Sequence, residues 1–487
     1  MDNPDTIRAL LRRCLPIAGV AIAATLAGCH AGSVARAAQA SSTVSVWVTT
    51  SDHALALAPR EATAFGNRLQ LPIHIAIDDS RHQSIVGFGA AITDASAWLL
   101  THRMSPSQRD ALLQELFGRG PDGIGLEFTR LTIGASDFSR HHYSLDDVPA
   151  GGKDPTLAHF SIAPNQDDVI PVARAALAIN PRLKVMASPW SAPAWMKDTD
   201  NLVKGTLRED SFDVFARYLV RYTEAYTAAG IPIYALTLQN EPAYEPEDYP
   251  GMRLSAGQRA RLIGQHLGPL LQQRGSPTLI FEWDHNWDKP EEPLAVLADP
   301  VAARYIAAVA WHCYGGDVSA QTTVHDAHPD KDAYLTECSG GDWEPVKSGG
   351  LTLIARQQVI EATRNWARGV LLWNLALDET NGPHAGGCAT CRGVVTIDSR
   401  DGSVTRNDEY YALAHASRFV RQGAWRIGSS VGGDGVDNVV FRNPDDGSYA
   451  MLVTNSADAP RSFSVDQDGR SFRYTLPARS LATFTWR

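Results

Sequence analysis

Short apolar segments alternate with amphipathic helical segments from Gln83 to Asn374. This alternation is typical of βαβ units and of a parallel sheet. Helices are predicted at Phe212–Ala229, Ala256–Gln273 and Leu351–Ala367, and strands at Gly87–Ile92, Phe128–Ile133, Lys184–Ala187, Ile233–Gln239, Thr278–Phe281, Ala307–Trp311, Ala333–Thr336 and Val370–Trp373. These strands fit an α/β fold with a closed (β/α)8 TIM barrel, and an open doubly wound sheet is the alternative.

Both ends of the chain instead show the period-two alternation of antiparallel strands, as in Val44–Val48 and Tyr449–Val453. No linker rich in Pro and Ser separates either end from the middle. We therefore predict N-terminal strands at 41–82, the barrel at 83–405 and C-terminal strands at 406–487. The two ends together are expected to form an appended β-sandwich.

Residues 1–40 have the pattern of an export signal. Arg8, Arg12 and Arg13 precede the apolar run Leu15–Leu26, which is too short to cross a bilayer. The box ending in Cys29 resembles the cleavage site of bacterial lipoproteins, in which the cysteine becomes acylated; ordinary cleavage after Ala40 is the alternative. We expect an exported protein: periplasmic, secreted, or an outer-membrane lipoprotein tethered to the membrane by lipid on Cys29.

The charge balance excludes several kinds of partner. The chain has 44 Lys and Arg against 54 Asp and Glu, a formal net charge of −10. Affinity for nucleic acid or for an anionic membrane surface depends on clustered basic residues, so neither is an expected partner. No GxGxxG or GxxxxGK[ST] motif supports nucleotide binding.

Four cysteines follow the export segment. Cys388 and Cys391 have the spacing of a zinc knuckle, but no second pair follows and only His384 is near enough to join them. A disulfide closing a small loop is therefore expected rather than a metal site. The sequence leaves open whether Cys313 and Cys338 pair.

Polar and aromatic residues cluster where the predicted strands end, which is where the active sites of (β/α)8 barrels lie. This set consists of Asp94, Arg130, Trp190, Asn240, Glu241, Asp284, His285, Asn286, His312, Tyr314, Glu337, Trp373 and Asn374. Strand alternation places Glu241 on the face of Ala235 and Thr237. It places Glu337 on the face of Ala333 and Leu335, and we expect both faces to line the barrel interior. Pro242 is expected to favour an extended backbone at Glu241.

Two facing carboxylates with aromatic walls suit the hydrolysis of a glycosidic bond. One acid protonates the leaving oxygen, and the second carboxylate attacks or stabilises a centre that resembles an oxocarbenium ion. Trp190, Trp195 and Trp373 can supply flat apolar faces for a sugar ring. A structural ion pair is the alternative for a single strand-end Glu, but the pair of Glu241 and Glu337 disfavours it.

Six motifs occur in order along the chain. They are Gly87-Phe-Gly-Ala-Ala-Ile-Thr-Asp94, Ser188-Pro-Trp-Ser-Ala-Pro-Ala-Trp195, Gln239-Asn-Glu-Pro242, Ala310-Trp-His-Cys-Tyr314, Thr336-Glu337 and Trp373-Asn-Leu-Ala-Leu377. Together they resemble glycoside hydrolase family 30, the glucosylceramidase (glucocerebrosidase) family. The resemblance continues into Tyr410–Phe419, where that family's barrel leads into its sandwich.

The resemblance implies a retaining β-glycosidase with no metal and no organic cofactor. Glu241 matches the family's acid/base and Glu337 matches its nucleophile. The positions expected to bind the substrate are Asp94, Trp190, Asn240, His312, Tyr314 and Trp373. We expect Arg130 to lower the pKa of Glu337 and keep it ionised, and loss of solvent to keep Glu241 protonated.

Three segments that vary within the family narrow the choice of substrate: His312–Tyr314, Thr336–Gly341 and Gly386–Gly393. They are more similar to the microbial branch that contains endo-β-1,6-glucanases than to the animal enzymes. The expected substrate is therefore β-1,6-glucan or a related oligosaccharide, with glucosylceramide as the alternative. An inactive glycan-binding surface lipoprotein is the remaining hypothesis, and the sequence leaves exo or endo action open.

Overall fold

Three strands open the part of the chain that the computed structural model describes, residues 43–343 and 350–487. They are β1 (Thr43–Thr50), β2 (Ala58–Ala64) and β3 (Ile73–Ser84). The predictions for the export signal and for acylation of Cys29 fall outside the described residues. Among the described residues, no helix combines the length and the apolar character that crossing a membrane requires.

A closed barrel of eight parallel strands follows, so the predicted fold class is confirmed. Its strands are β4 (Gly87–Ala91), β5 (Phe128–Ile133), β6 (Lys184–Pro189), β7 (Ile233–Thr237), β8 (Leu279–Asn286), β9 (Ile306–His312), β10 (Asp332–Glu337) and β11 (Ala367–Asn374). Each strand pairs with its neighbours in chain order, and β11 closes the ring against β4. The alternative of an open sheet is thereby excluded.

Helices cover the outside of the barrel. They are α1 (Asp94–His102), α2 (Pro106–Phe117), α3 (Val169–Ile179), α4 (Phe212–Ala228), α5 (Ala256–Arg261), α6 (Gly268–Gln273), α7 (Glu291–Leu297), α8 (Pro300–Ala303), α9 (Ser319–Ala327), α10 (Gly350–Ile354), α11 (Ala362–Arg364) and α12 (Asp408–Ser417). A π-helical turn joins α5 to α6 at Leu262–Leu267, and another joins α10 to α11 at Ala355–Glu361. Capping boxes start α2 and α5, where Ser105 and Ser255 each pair with a Gln three residues later.

The remaining long strands complete a sandwich with the N-terminal ones. They are β12 (Trp425–Ser429), β13 (Val436–Arg442), β14 (Tyr449–Asn455), β15 (Arg461–Gln467), β16 (Arg470–Leu476) and β17 (Ser480–Trp486). The sheet order is β2-β1-β17-β14-β13-β12-β3-β15-β16, with Gly66–Asn67 at the far edge. Strand β1 pairs with β17, and β3 lies between β12 and β15. The prediction that both chain ends build the sandwich is therefore confirmed.

An apolar layer fills the N-terminal half of the barrel. It contains Val86, Phe128, Met186, Ala235, Phe281, Ala308, Ala310, Tyr334 and Leu371. The Tyr334 ring stacks on the Phe281 ring with the centroids 4.4 Å apart. Since apolar side chains fill this half, the polar side chains of the barrel interior meet at its opposite, C-terminal end.

The strand-alternation prediction was half right. Ala235 faces the interior as expected, and Leu236 packs under the helices. On β10 the prediction was wrong: Ala333 and Leu335 pack under the helices, and Tyr334 faces the interior. The structural reason that Glu337 nevertheless points inward is a bulge, described with the site below.

Helix α12 connects the barrel to the sandwich through a buried histidine, His415. Its Nε2 lies 2.9 Å from the Thr49 hydroxyl of β1, and its Nδ1 lies 2.8 Å from the Thr483 hydroxyl of β17. The Thr483 hydroxyl itself donates to the His415 carbonyl, so it accepts from Nδ1–H, and the ring is the neutral Nδ1–H tautomer. Burial lowers the pKa of His415 to about 3.

This histidine makes the fold acid-sensitive. Its pKa is lower in the folded state than the ordinary 6.5 of the unfolded chain, so the unfolded state binds more protons below pH 6.5. The contribution to stability is complete above pH 6.5 and falls by about 1.4 kcal/mol per pH unit as the pH drops towards 3. We expect His415→Gln to unfold at a lower temperature than wild type at pH 7.5 and to show a shallower loss of melting temperature on acidification. Parallel melting curves from pH 7.5 to 4.5 would contradict this account.

Candidate active site

Glu241 and Glu337 line one cavity of about 380 Å³ at the C-terminal end of the barrel. Its walls also include Asp137, Trp190, Asn240, Tyr244, Glu247, Asp248, Tyr249, Tyr314, Trp343, Trp373, Gly387, Cys388 and Cys391. A carboxylate oxygen of Glu241, one of Glu337 and a ring nitrogen of His312 all lie within 4.8 Å of one another. The structure thus brings the two predicted catalytic carboxylates together.

The guanidinium of Arg130 lies beneath these carboxylates and is fully buried. Its Nη1 donates to Glu337 Oε2, and its Nη2 donates to Asn240 Oδ1 at 2.8 Å and to Asp284 Oδ2 at 2.7 Å. Burial alone would lower the pKa of Arg130, but the charges of Asp284 and Glu337 outweigh it and raise that pKa. The cation therefore orients one carboxylate and one amide towards the cavity.

Asp284 accepts hydrogen bonds from residues on five other strands of the barrel. Thr237 donates to its Oδ2 at 2.8 Å and Thr336 to its Oδ1 at 2.7 Å, while Ser188 also donates to Oδ2. Together with the bonds from Arg130 and His312, these outweigh burial and hold the pKa of Asp284 far below its usual range. The sequence marked Asp284 as a strand-end residue but assigned it no role.

Bulges in the barrel place three of these side chains. Ala310 pairs with Trp283 but Trp311 pairs with His285, so Asp284 is an extra residue in β8. Trp311 pairs with Leu335 and His312 with Glu337, which makes Thr336 the extra residue of β10. A third register shift in β11 leaves Trp373 unpaired against β4. Bulges next to active sites change the direction in which side chains point. Here the extra residue interrupts the alternation of each strand and turns the side chains at its end inward.

Glu241 reaches the cavity by a left-handed turn. Strand β7 ends at Thr237, and Glu241 has a φ of 50°, so the predicted extended backbone is wrong. Its amide donates to the Asp284 carbonyl at 3.0 Å, and its own carbonyl accepts from the Tyr244 amide at 2.9 Å. Trp283 and Asp284 also have positive φ values, of 75° and 59°. Such backbone strain persists only where the surrounding contacts hold it, as the two hydrogen bonds of Glu241 do here.

His312 bridges the acid side of the site. Its Nδ1 lies 3.1 Å from Glu241 Oε1 and its Nε2 lies 3.0 Å from Asp284 Oδ1. Burial alone would lower the pKa of His312, but the charge of Glu337 and the bonds to Asp284 and Glu241 raise it to about 9. With both ring nitrogens donating, His312 is an imidazolium at neutral pH.

The pKa ordering of the two carboxyls differs from the expected one. Burial raises the pKa of Glu337 by more than the attraction of His312 and Arg130 lowers it. Burial also raises the pKa of Glu241, but the hydrogen bond from His312 and the neighbouring positive charges exceed that effect and lower it. Both directions are opposite to the expected ones: Arg130 lowers the pKa of Glu337 by less than burial raises it, and the hydrogen bond from His312 favours the ionised form of Glu241. The Glu241–His312 pair still contains one dissociable proton at the catalytic position.

Two stacked indoles and a buried acid form the floor of the cavity. The rings of Trp190 and Trp373 stack with centroids 4.9 Å apart, and the Arg130 guanidinium lies 4.8 Å from the Trp190 centroid. Trp373 Nε1 lies 3.4 Å from Asp137 Oδ2, and the buried Asp137 Oδ1 has no partner within the described residues. Burial and the charge of Glu337 raise the pKa of Asp137 to about 8, so a neutral carboxyl faces the cavity.

Two residues expected at the sugar lie elsewhere. Asp94 does not line the cavity, because Arg140 binds both of its carboxylate oxygens, with Nε at 2.8 Å and Nη2 at 3.1 Å. Trp195 packs in the barrel core, where its Nε1 donates to Asp146. Sequence reasoning missed several cavity residues, namely Asp137, Tyr244, Glu247, Asp248, Tyr249, Trp343 and Gly387. Asp137 follows β5 by four positions, too far to be recognised as a strand-end residue.

Two disulfides border the site. Cys388 and Cys391 are joined as predicted, with Cα atoms 5.5 Å apart. Cys313 and Cys338, which the sequence left open, are also joined, with Cα atoms 5.4 Å apart. Since these two residues directly follow His312 and Glu337, the bond ties the ends of β9 and β10 together beside the catalytic groups.

The donor set at the cavity is poorly suited to a metal ion. Glu241, His312 and Glu337 have the spacing of metal ligands. However, both ring nitrogens of His312 already bond to carboxylates, and the buried Arg130 cation contacts Glu337. An imidazolium has no lone pair for a metal, so the expected absence of a metal remains a prediction with this physical support.

A TIM barrel with paired carboxylates over an aromatic floor, joined to a β-sandwich, defines a glycoside hydrolase. The family model of the glycosyl hydrolase family 30 TIM-barrel domain matches residues 85–420, and that of the family's beta sandwich domain matches residues 423–484. The chain therefore belongs to glycoside hydrolase family 30, and the resemblance seen in the motifs is confirmed.

The names of several similar proteins state an activity on β-1,6-glucan or on a glucosylceramide. An endo-1,6-beta-D-glucanase of Neurospora crassa is 36% identical over 403 residues, which cover 78% of this chain and 81% of that protein. The lysosomal acid glucosylceramidase of Mus musculus is 28% identical over 434 residues, covering 84% and 82%. The solved structure of the endo-beta1,6-glucanase BT3312 has a TM-score of 0.83 at 32% identity and covers 91% of this chain and 99% of that chain.

Asp284 provides the test of this charge network. In Asp284→Asn the amide loses the negative charge that raises the pKa of His312, so the alkaline limb of the kcat/KM profile should move to lower pH. We expect kcat to fall by about 10²-fold because Arg130 and His312 lose their shared anchor. Thr336→Val is the matched control, since it removes one hydrogen bond to Asp284 and keeps the charge. An unshifted alkaline limb in Asp284→Asn would refute this role.

Proposed function

We propose that this β-glycosidase hydrolyses β-1,6-glucan by double displacement with retention of configuration. The observation that carries the mechanism is the close approach of the Glu241 and Glu337 carboxylates, which bring one oxygen of each to within 4.8 Å of the other. Retaining enzymes hold their two carboxyl groups about 5–5.5 Å apart, whereas inverting enzymes leave room for a water between them.

Glu337 is the nucleophile in this proposal. Its Oε2 accepts from Arg130 and its Oε1 accepts from the Tyr314 hydroxyl at 3.0 Å. These bonds favour the ionised form and orient the carboxylate for attack on the anomeric carbon. The attack forms a glycosyl ester, and the bond to the leaving oxygen breaks as Glu241 delivers a proton.

Glu241 is the acid/base, supplied by His312. The proton shared by the pair passes through Glu241 to the leaving oxygen, and the same carboxylate then takes a proton from the water that hydrolyses the ester. Asn240 accepts from Arg130 through Oδ1, which leaves its amide NH2 directed at the cavity. That group suits the 2-hydroxyl of the sugar, whose bonds strengthen in the transition state.

The choice of β-1,6-glucan is supported by the similar proteins, since the Neurospora crassa relative and the BT3312 structure are both named as β-1,6-glucanases. A product profile on β-1,6-glucan beside glucosylceramide tests it. Release of gluco-oligosaccharides or glucose from the glucan, with little ceramide formed, is the expected result. Preferential cleavage of glucosylceramide would assign the lipid substrate instead.

We also propose that the protein is exported, which extends the interpretation of residues 1–40. The two disulfides beside the site are consistent with this proposal, because such bonds persist in oxidising compartments and are rare in the cytosol. Acylation at Cys29 is the more specific form of the proposal. Metabolic labelling with a fatty acid would detect the lipid, and loss of label in Cys29→Ala would locate it.

The nucleophile can be identified chemically. A 2-deoxy-2-fluoro-β-glucosyl fluoride should label the protein, because the fluorine at C2 slows hydrolysis of the ester more than its formation. We expect the label on a peptide containing Glu337 by mass spectrometry and none in Glu337→Gln. The exposed Glu291 of α7 provides the matched control, Glu291→Gln, which should label fully. Labelling of Glu241 instead would reverse the assigned roles.

The acid can be separated from the nucleophile by leaving group. Glu241→Ala should lower kcat/KM about 10²–10⁴-fold on β-1,6-linked gluco-oligosaccharides, whose leaving oxygen needs a proton. On dinitrophenyl β-glucoside, which needs no proton, the loss should be much smaller, and added azide should restore turnover as the β-glucosyl azide. Equal losses on both substrates would sink the acid assignment.

A further inference from the structure

The cavity is closed on one side and open on another. A Cβ added to Gly387 would lie 2.5 Å from the Cβ of Asp137, and one added to Gly386 would lie 2.4 Å from the Asp248 carbonyl oxygen. The loop after β11 thus abuts those after β5 and β7 and closes the cavity on the side of Asp137. The rest of the substrate must leave through the mouth.

Three exposed aromatic side chains surround that mouth: Tyr244, Tyr314 and Trp343. Tyr244 closes the turn that begins at Glu241, and Tyr314 donates to Glu337. The mouth therefore lies beside both carboxylates, and it is the open route by which a leaving group can depart. Trp343 is the largest and most exposed of the three, with 54% of its surface accessible.

The indole of Trp343 packs against the backbone of its own segment. A Cβ added to Gly341 would lie 2.1 Å from Cζ3 and 2.4 Å from Cη2 of the indole and 2.5 Å from the Thr390 carbonyl oxygen, so the six-membered ring of Trp343 packs beside Gly341 and a larger residue there would collide with it. Trp343 lines the cavity and is more than half exposed, so the rest of the indole surface is accessible to a ligand.

The segment that carries Trp343 is firmly held. Gly340 and Gly341 pair with Arg392 and Cys391 in a short antiparallel ladder, and the Asp342 amide donates to the Thr390 carbonyl at 2.9 Å. The partner segment is closed by the Cys388–Cys391 disulfide. A preorganised platform of this kind binds without the cost of ordering a loop.

Arg392 supports the same segment from beneath. It donates to the Gly341 carbonyl at 3.2 Å and forms a buried ion pair with Glu409 of α12 at 3.0 Å. A Cβ added to Gly340 would lie 1.9 Å from a Glu409 carboxylate oxygen, so this residue too must be glycine. The backbone that leads to Trp343 is therefore held in place by contacts that extend to α12, the helix that joins barrel and sandwich.

We propose that Trp343 is the stacking platform for the first glucosyl unit on the leaving-group side of the scissile bond. The inference rests on the proposed function, because it assumes a β-glucoside whose bond is cut between Glu241 and Glu337. A β-glucosyl ring presents axial C–H groups on both faces, which pack on an aromatic plane. A 1,6-linked unit is joined through an extra rotatable CH2, so its capture on a fixed plate orients an otherwise mobile leaving group.

Transglycosylation isolates this subsite from the chemistry. With β-D-glucosyl fluoride as donor, no sugar occupies the leaving-group side, and the glycosyl ester partitions between water and an added gentiobiose acceptor. In Trp343→Ala we expect the ratio of transfer to hydrolysis to fall about tenfold, and the rate of fluoride release without acceptor reports separately on formation of the glycosyl ester. Gly341→Ala should reproduce the loss, because its new methyl group displaces the indole. Trp425→Ala is the control, as Trp425 is an exposed indole on β12 of the sandwich.

The outcomes are separable. An unchanged ratio in Trp343→Ala, or a parallel fall in fluoride release, would overturn the platform. A loss in Tyr244→Ala alone would overturn it in favour of the opposite wall. A protein that releases no fluoride refutes the proposed function instead. Calorimetric titration of Glu337→Gln with gentiotriose then still tests the platform: adding Trp343→Ala should weaken binding about tenfold and leave glucose binding unchanged, and equal affinities would overturn it.

Discussion

The site depends on one buried cation. Arg130 is fully enclosed and contacts Glu337, Asn240 and Asp284 with its two terminal nitrogens. The free-energy cost of burying an unpaired charge at this depth would be prohibitive. Arg130 therefore requires these acceptors as much as they require its hydrogen bonds. The result is a set of side chains from different strands that cannot move independently. Such mutual restraint is what catalysis needs, because the reacting groups must hold their geometry before the substrate arrives.

Asp284 extends this restraint to the acid side of the site. Its two oxygens accept from Arg130 on one side and from His312 on the other, so the nucleophile and the acid/base are coupled through one carboxylate. The proton of the acid side lies on His312, between Asp284 and Glu241. Titration of any one group therefore changes the others, and the pH dependence belongs to the cluster rather than to a single residue.

The β-sandwich is linked to the active site through helix α12. Strand β1 and strand β17 both contact His415 of α12, and Glu409 of that helix holds Arg392 beneath the loop that follows Glu337. A histidine kept neutral by burial and a buried ion pair thus lie on one helix, between the sandwich and the cavity. Contacts of α12 thus link the paired chain ends to the loop at the barrel mouth.

The sequence by itself determined the architecture and most of the chemistry. Alternating strands and helices specified the barrel, period-two ends specified the sandwich, and polar residues at the ends of apolar strands identified Arg130, Glu241, His312 and Glu337. These inferences succeed because hydrophobic periodicity is local and is read directly from the chain.

Only the tertiary structure decided how those residues meet. The bulges at Asp284 and Thr336 and the left-handed turn at Glu241 break the alternation on which strand-based prediction depends. The sequence pattern also did not show that Asp137, which lies in a loop, lines the cavity, or that Arg140 binds the carboxylate of Asp94. The tertiary structure also decided the positions of the protons, since burial and contacts between distant strands set the pKa values. Local pattern fixes which residues reach the mouth of the barrel, but the requirement to satisfy buried charges fixes where each one points.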